Sequence, residues 1–193
     1  MARSSWPDAV ASEIHNNTGT NVFNNAGTFE TTFASGTTNI QVAFNNTGTV
    51  NAESGTLQLS GGGTETGSFN VSSGAIVQLN SAITLNGASS TGLGQVQLVG
   101  NNTVTVNSGA NFGSEFTQSG GTLTGTGTVT VTGAAALGST GNYVLESGSG
   151  TTDLKGTSTL TGNGSSLGLA LDGGRVLQND GTLNWTSGNI EMG

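Results

Sequence analysis

Four six-residue stretches of the sequence align without gaps: Val50–Gly55, Phe69–Gly74, Val104–Gly109 and Leu183–Gly188. Each reads apolar, polar, apolar, variable, Ser, Gly, and further Ser-Gly pairs stand at Ser35-Gly36 and Ser147-Gly148. Ser35, Ser54 and Ser73 recur at intervals of 19, and eight such intervals carry the pattern from Ser35 to Ser187. A second series, Ile40-Gln41-Val42, Leu57-Gln58-Leu59, Val77-Gln78-Leu79 and Val96-Gln97-Leu98, places Gln between two apolar residues at intervals of 17, 20 and 19. A third element, Phe23-Asn24-Asn25-Ala26-Gly27-Thr28-Phe29, returns at an offset of 21 as Phe44-Asn45-Asn46-Thr47-Gly48-Thr49-Val50, with an echo from Leu177 to Leu183.

A repeat of about 19 residues holding two or three short strands is one coil of a right-handed parallel β-helix, a β-solenoid. It is too short for a propeller blade or a helical repeat, and the Leu/Asn consensus of leucine-rich repeats is missing. One coil cannot bury its apolar face, so coils must stack. About ten coils fit, which at ~4.8 Å per stacked strand makes a rod about 48 Å long. Side chains alternate across a strand, so Val50, Ala52, Leu57 and Leu59 point inward while Asn51 and Gln58 face out. Trp6, Pro7 and the helix-compatible Asp8 to Ile14 suit a cap or leader over residues 1–14, with the repeat domain spanning 15–193. The sequence stops at Gly193 just after a coil begins, with no polar capping element. That pattern fits a fragment of a longer array, or an open end that joins copies.

Composition narrows the function. The chain has 34 Gly, no Cys and 7% charged residues, against roughly a quarter in ordinary globular proteins. The 32% hydrophobic content arrives in short Val, Ile, Leu and Phe runs, a strand-and-turn composition rather than a disordered one. A net charge of −8 with three basic residues argues against nucleic acid and against an anionic membrane surface. No apolar run approaches the roughly 18 residues of a membrane span, so no membrane insertion is expected. With so few ion pairs available, pH is expected to matter little away from the extremes.

No catalytic, cofactor-binding or metal-ligating residue is assigned. Polysaccharide-cleaving solenoids need clustered carboxylates with basic partners. Here only Asp172 and Asp180, near Arg175, come close in sequence, and their Asp-Gly contexts read as turns. His15 has no neighbour at metal or catalytic spacing and reads as a corner side chain. Gln41, Gln58, Gln78 and Gln97 are expected to stack on an outer face as a hydrogen-bonded ladder, and Asn24 with Asn45 and Asn25 with Asn46 at a corner. Thr122, Thr124, Thr126, Thr128, Thr130 and Thr132 alternate along the chain, whereas an ice-binding face needs Thr at one position in successive coils. Trp185 occupies the slot of Ala52, Val71 and Val106, a core or end-plug position.

The Ser-Gly coil template and the Asn-Asn-Thr-Gly-Thr-Val corners, over roughly Asn16 to Gly193, resemble the β-strand repeats of bacterial exoproteins, the filamentous-haemagglutinin-like adhesins and autotransporter passengers. The resemblance implies a non-catalytic structural or adhesive shaft, extracellular or on a bacterial cell surface. Its partner would be a host-cell, matrix or carbohydrate receptor. End-to-end self-association into a fibre is the alternative. A carbohydrate-active β-helix and an ice-binding solenoid stand further back.

Overall fold

The computed structural model describes residues 12–33, 35–139, 141, 144–162 and 167–193. Among them lie 26 strands of three to five residues and no helix. All strand pairing is parallel, within three sheets. The first sheet stacks β1 (Ser12–Ile14), β4 (Thr37–Ile40), β7 (Thr56–Leu59), β10 (Ile76–Leu79), β13 (Gln95–Leu98), β16 (Glu115–Gln118), β19 (Ala135–Leu137), β22 (Thr157–Leu160) and β25 (Thr182–Trp185). The second stacks β2 (Val22–Asn25), β5 (Ala43–Asn46), β8 (Gly63–Glu65), β11 (Ile83–Leu85), β14 (Thr103–Val106), β17 (Gly121–Thr124), β20 (Val144–Glu146), β23 (Leu167–Leu171) and β26 (Asn189–Met192). The third stacks β3 (Thr28–Thr31), β6 (Thr49–Ala52), β9 (Ser68–Val71), β12 (Ala88–Thr91), β15 (Ala110–Phe112), β18 (Thr128–Val131), β21 (Thr151–Leu154) and β24 (Val176–Asn179). Each turn therefore visits all three sheets once, and every third strand pairs. This is a parallel β-solenoid.

It has about eight turns of roughly 21 residues, not ten of 19. The column Thr38, Leu57, Val77, Val96, Phe116 and Ala135 advances in steps of 19 or 20. The steps lengthen to 23 at Ser158 and 25 at Leu183, and the first, from Ser12 to Thr38, is 26. The surplus falls between the first and second sheets: six or seven residues separate β1 from β2, β19 from β20 and β22 from β23, against two between β4 and β5 and between β16 and β17. Nine stacked strands at ~4.8 Å make a rod nearer 40 Å than 48 Å.

The four aligned stretches do not occupy one face. Val50–Gly55 and Phe69–Gly74 leave the third sheet, Val104–Gly109 the second and Leu183–Gly188 the first. The shared motif marks a strand running into a glycine corner, wherever that corner lies in the coil. Gly55 shows why: its φ is +66°, and a Cβ there would lie 2.7 Å from the Gly36 carbonyl oxygen of the turn below. Corner amides keep pairing between turns, with Thr56 N–H donating to Gly36 and Ile76 N–H to Gly55, both at 2.9 Å.

Strand alternation places side chains as expected. Val50, Ala52 and Leu57 are fully buried and Leu59 nearly so, while Asn51 and Gln58 lie on the outside. The lumen holds one long apolar cluster, with Phe23, Phe29 and Phe44 at 5.3–5.8 Å from one another and Phe112 stacked on Phe116 at 4.7 Å. Ser12–Ile14 form the first strand, paired with Thr38–Ile40, while Trp6 and the rest of the expected cap lie outside the described residues.

Candidate functional site

Outward positions form ranks along the rod axis, and many of their side chains bond to the turn above or below. On the first sheet Gln58, Gln78 and Gln97 are in register. Gln78 Nε2 donates to Gln97 Oε1 at 3.1 Å, Gln97 Nε2 to Gln95 Oε1 at 2.7 Å, and Gln95 Nε2 to Glu115 Oε2 at 2.9 Å. Gln41 is not in this ladder. It follows β4 at a corner, and Asn39 stacks beneath Gln58 instead, which is why the first interval of the Gln series was 17.

The third sheet carries Asn70 Nδ2 on Asn51 Oδ1 and Thr91 Oγ1 on Asn70 Oδ1, both at 2.9 Å. On the second sheet Asn45 Nδ2 donates to Asn24 Oδ1 at 3.0 Å, as expected. Asn25 Nδ2 likewise donates to Asn46 Oδ1 at 2.9 Å, but this pair is buried inside the lumen rather than displayed at a corner.

The second sheet also holds what the sequence did not disclose. Thr64, Thr84, Thr105 and Thr124 occupy one outward position in four successive turns, and Thr103 and Thr122 pair in a parallel rank. Thr residues that alternate along the chain here also stack between turns. The later residues of that run, Thr128 and Thr130, have moved on to the third sheet.

Ionisable groups enter the interior in two places. Glu65 follows Asn25 and Asn46 in one inward column and is fully buried. Burial pushes its carboxyl up to about 8, from an ordinary value of 4.5. Further along, Glu146 and Arg175 are both wholly buried, with Arg175 Nε 3.3 Å from Glu146 Oε2. Thr152 Oγ1 donates to the same carboxylate oxygen and accepts from Arg175 Nη2 at 2.9 Å. Desolvation drives the Glu146 carboxyl above its ordinary range; the guanidinium and the two hydrogen bonds pull it back only in part. Outside this cluster, Lys155 Nζ lies 2.9 Å from Asp153 and 3.3 Å from Asp180.

The sequence neighbours Asp172, Arg175 and Asp180 are thus dispersed. Arg175 turns into the lumen, Asp180 serves Lys155, and Asp172 is exposed at a corner. His15 is exposed on the corner after β1. Trp185 stands above Leu160, in the column of Leu137 rather than of Ala52 and Val71. It is 56% exposed, and its indole N–H donates to Gly188 O at 3.0 Å. Among the described residues no three His, Cys, Asp or Glu side chains gather as a metal site, and no helix is long and apolar enough to cross a membrane.

No family model, curated protein or solved structure matched this chain. The functional reading therefore stands on these surfaces and clusters alone.

Proposed function

We propose that this chain is a non-catalytic structural shaft, a segment of an adhesive bacterial cell-surface or secreted protein, and that it holds a receptor-binding region elsewhere in that protein away from its base. The observation that carries the reading is the outer surface. Gln, Asn, Ser and Thr side chains on all three sheets spend hydrogen bonds on one another along the axis. Polar groups bonded in this way stiffen a rod and leave fewer donors and acceptors free for a ligand. The coil is read as right-handed, the hand that parallel crossover connections take in nearly every case.

Small-angle scattering and electron microscopy across a concentration series test the shaft directly. Monodisperse rods about 40 Å long, without saturable binding to a panel of glycans and matrix proteins, support it. Filaments that lengthen with concentration would make end-to-end assembly the function instead. Saturable binding of one glycan, lost on substitution along a single outer rank, would replace the shaft with a carbohydrate-binding surface.

One observation favours a second reading. The rank Thr64, Thr84, Thr105 and Thr124 presents methyl and hydroxyl groups at one strand spacing on one sheet, an arrangement suited to organising water at an ice surface. Ice crystals shaped by the wild-type chain but not by Thr84→Lys would establish it, and unshaped crystals would dismiss it.

A further inference from the structure

We propose that Asp172-Gly173 is a site of spontaneous backbone isomerisation, at which the chain converts to an isoaspartyl linkage. The chain leaves β23 at Leu171 and turns through Asp172, Gly173, Gly174 and Arg175, closed by Arg175 N–H donating to the Asp172 carbonyl at 3.3 Å. Both central glycines have positive φ, +66° and +83°, the pattern of a type I′ turn that residues with a Cβ seldom adopt. Asp172, Gly173 and Gly174 are all exposed. Within the turn Gly173 N–H donates to the side-chain Oδ1 of Asp172 at 2.6 Å. That contact holds the next peptide nitrogen beside the carboxyl carbon.

The chemistry needs only water. With the Asp172 carboxyl protonated, Gly173 N loses its proton and bonds to Cγ. The carboxyl hydroxyl departs as water, leaving a five-membered succinimide. Water then adds to one of the two ring carbonyls. Cleavage at the side-chain carbonyl restores aspartate. Cleavage at the main-chain carbonyl leaves the peptide running through Cγ, which adds one carbon to the backbone three residues before Arg175. The guanidinium that must reach Glu146 is then carried on a corner of altered length, so the buried pair loosens as the protein ages.

The same dipeptide at Asp180-Gly181 provides an internal control. Its carboxylate accepts from Gln178 Nε2 at 2.8 Å and Lys155 Nζ at 3.3 Å, and these hydrogen bonds hold it below its ordinary range. It is thereby kept in the ionised form, which is the poorer leaving group. Gly181 is also tightly packed, with the Gly156 carbonyl oxygen 2.3 Å from where a Cβ would stand. At Asn86-Gly87 the attacking nitrogen is already engaged, since Gly87 N–H donates to Gly109 O at 2.8 Å.

The test is prolonged incubation of the folded protein at mildly acidic pH, then brief trypsin digestion and mass spectrometry with electron-transfer fragmentation. Cleavage after Lys155 and Arg175 places Asp172 and Asp180 in separate peptides. The expected result is a second species of equal mass with isoaspartyl fragment ions at Asp172, several-fold more abundant than at Asp180. An intermediate lighter by one water should precede it. Conversion of Asn163, in the same peptide as Asp172, changes the mass and is distinguished on that ground. In denaturant the two aspartates should convert at similar rates, and Asp172→Glu should leave its peptide with one species at the unconverted mass. Equal conversion of Asp172 and Asp180 in the folded protein, or no conversion at Asp172, overturns the proposal.

Discussion

The middle turns, Ile76 to Phe112, and the later turns, Ala135 to Asn179, share one architecture but solve the interior differently. In the middle turns, inward positions are filled by Val77, Leu79, Ile83, Leu85, Ala88, Val96, Leu98, Val104 and Val106, interrupted by Ser90. There the step from one turn to the next is 19 or 20 on the first sheet, 21 on the second and 22 on the third. In the later turns Glu146, Thr152, Ser158 and Arg175 enter the interior, and the step lengthens to 23 and then 25. Apolar side chains can be exchanged between neighbouring rungs at little cost in specificity. A buried charge cannot, because it is tolerated only when a particular partner from another element meets it. In these two stretches the tighter turns enclose an apolar lumen, and the wider corners accompany polar groups that must meet. Glu65 is buried in a tightly spaced turn as well, where desolvation favours its uncharged form.

The sharpest way to break this comparison is to put an unpaired charge into the regularly spaced turns. Leu57→Asp or Val71→Asp should cost more than about 4 kcal/mol and abolish the cooperative thermal transition in circular dichroism. Val176→Asp, at a position 48% exposed in the later turns, should melt close to wild type. Equal damage from all three would end the distinction.

Removing one partner of the buried pair comes next. Arg175→Met should destabilise by about 3–5 kcal/mol, because it strands Glu146 without its guanidinium. Hydrogen exchange should rise in the turns from Val144 to Asn179 while Ile76 to Phe112 stays protected. The double variant Glu146→Leu, Arg175→Met should recover most of the loss. If the double is as unstable as the single, the pair is not what shapes this region.

Glu65 sharpens the comparison through pH. Its folded carboxyl titrates near 8 and its unfolded one near 4.5, so the folded state holds the proton more tightly. That stability is fully present below about pH 4.5 and is lost as pH rises through about 8, a change on the order of a few kcal/mol. Chemical denaturation across this range should show the decline, and Glu65→Gln should flatten it. A flat wild-type profile would show that the carboxyl is solvated. The weak pH dependence expected from composition thus gives way to one buried acid.

The smallest effect belongs outside. Gln58→Thr, on the outer rank that runs into the middle turns, should shift stability by less than about 0.5 kcal/mol. A much larger loss in denaturant titration would mean that the outer ladder, rather than the lumen, carries the fold.

Much of the fold was legible because burial on one face of a strand imposes alternation, and alternation is visible residue by residue. Leu57-Gln58-Leu59 and its partners Val77-Gln78-Leu79 and Val96-Gln97-Leu98 gave a correct register for three turns. Adding Gln41 failed, because Ile40-Gln41-Val42 spans the end of a strand and its local pattern imitates an outward position. The turn count failed for a related reason. The Ser-Gly motif occurs at left-handed glycines of three different corners, and those matches were aligned as one. The Thr rank was missed because its members sit a whole turn apart, behind the more conspicuous alternation of Thr122 to Thr132.

By itself the sequence determined that short alternating strands must stack in a solenoid with Gly at its corners, since both rules act within a few residues of chain. Which charges became interior was decided only by the tertiary structure. Glu53 and Glu146 stand in the same context, Glu-Ser-Gly. Glu53 is exposed at a corner where Ser72 Oγ donates to it at 3.1 Å, whereas Glu146 is the last residue of β20 and wholly buried. The difference is a shift of the strand end by one residue, which turns the side chain inward. A cation 29 residues away then makes that burial tolerable, a partnership that no local pattern encodes.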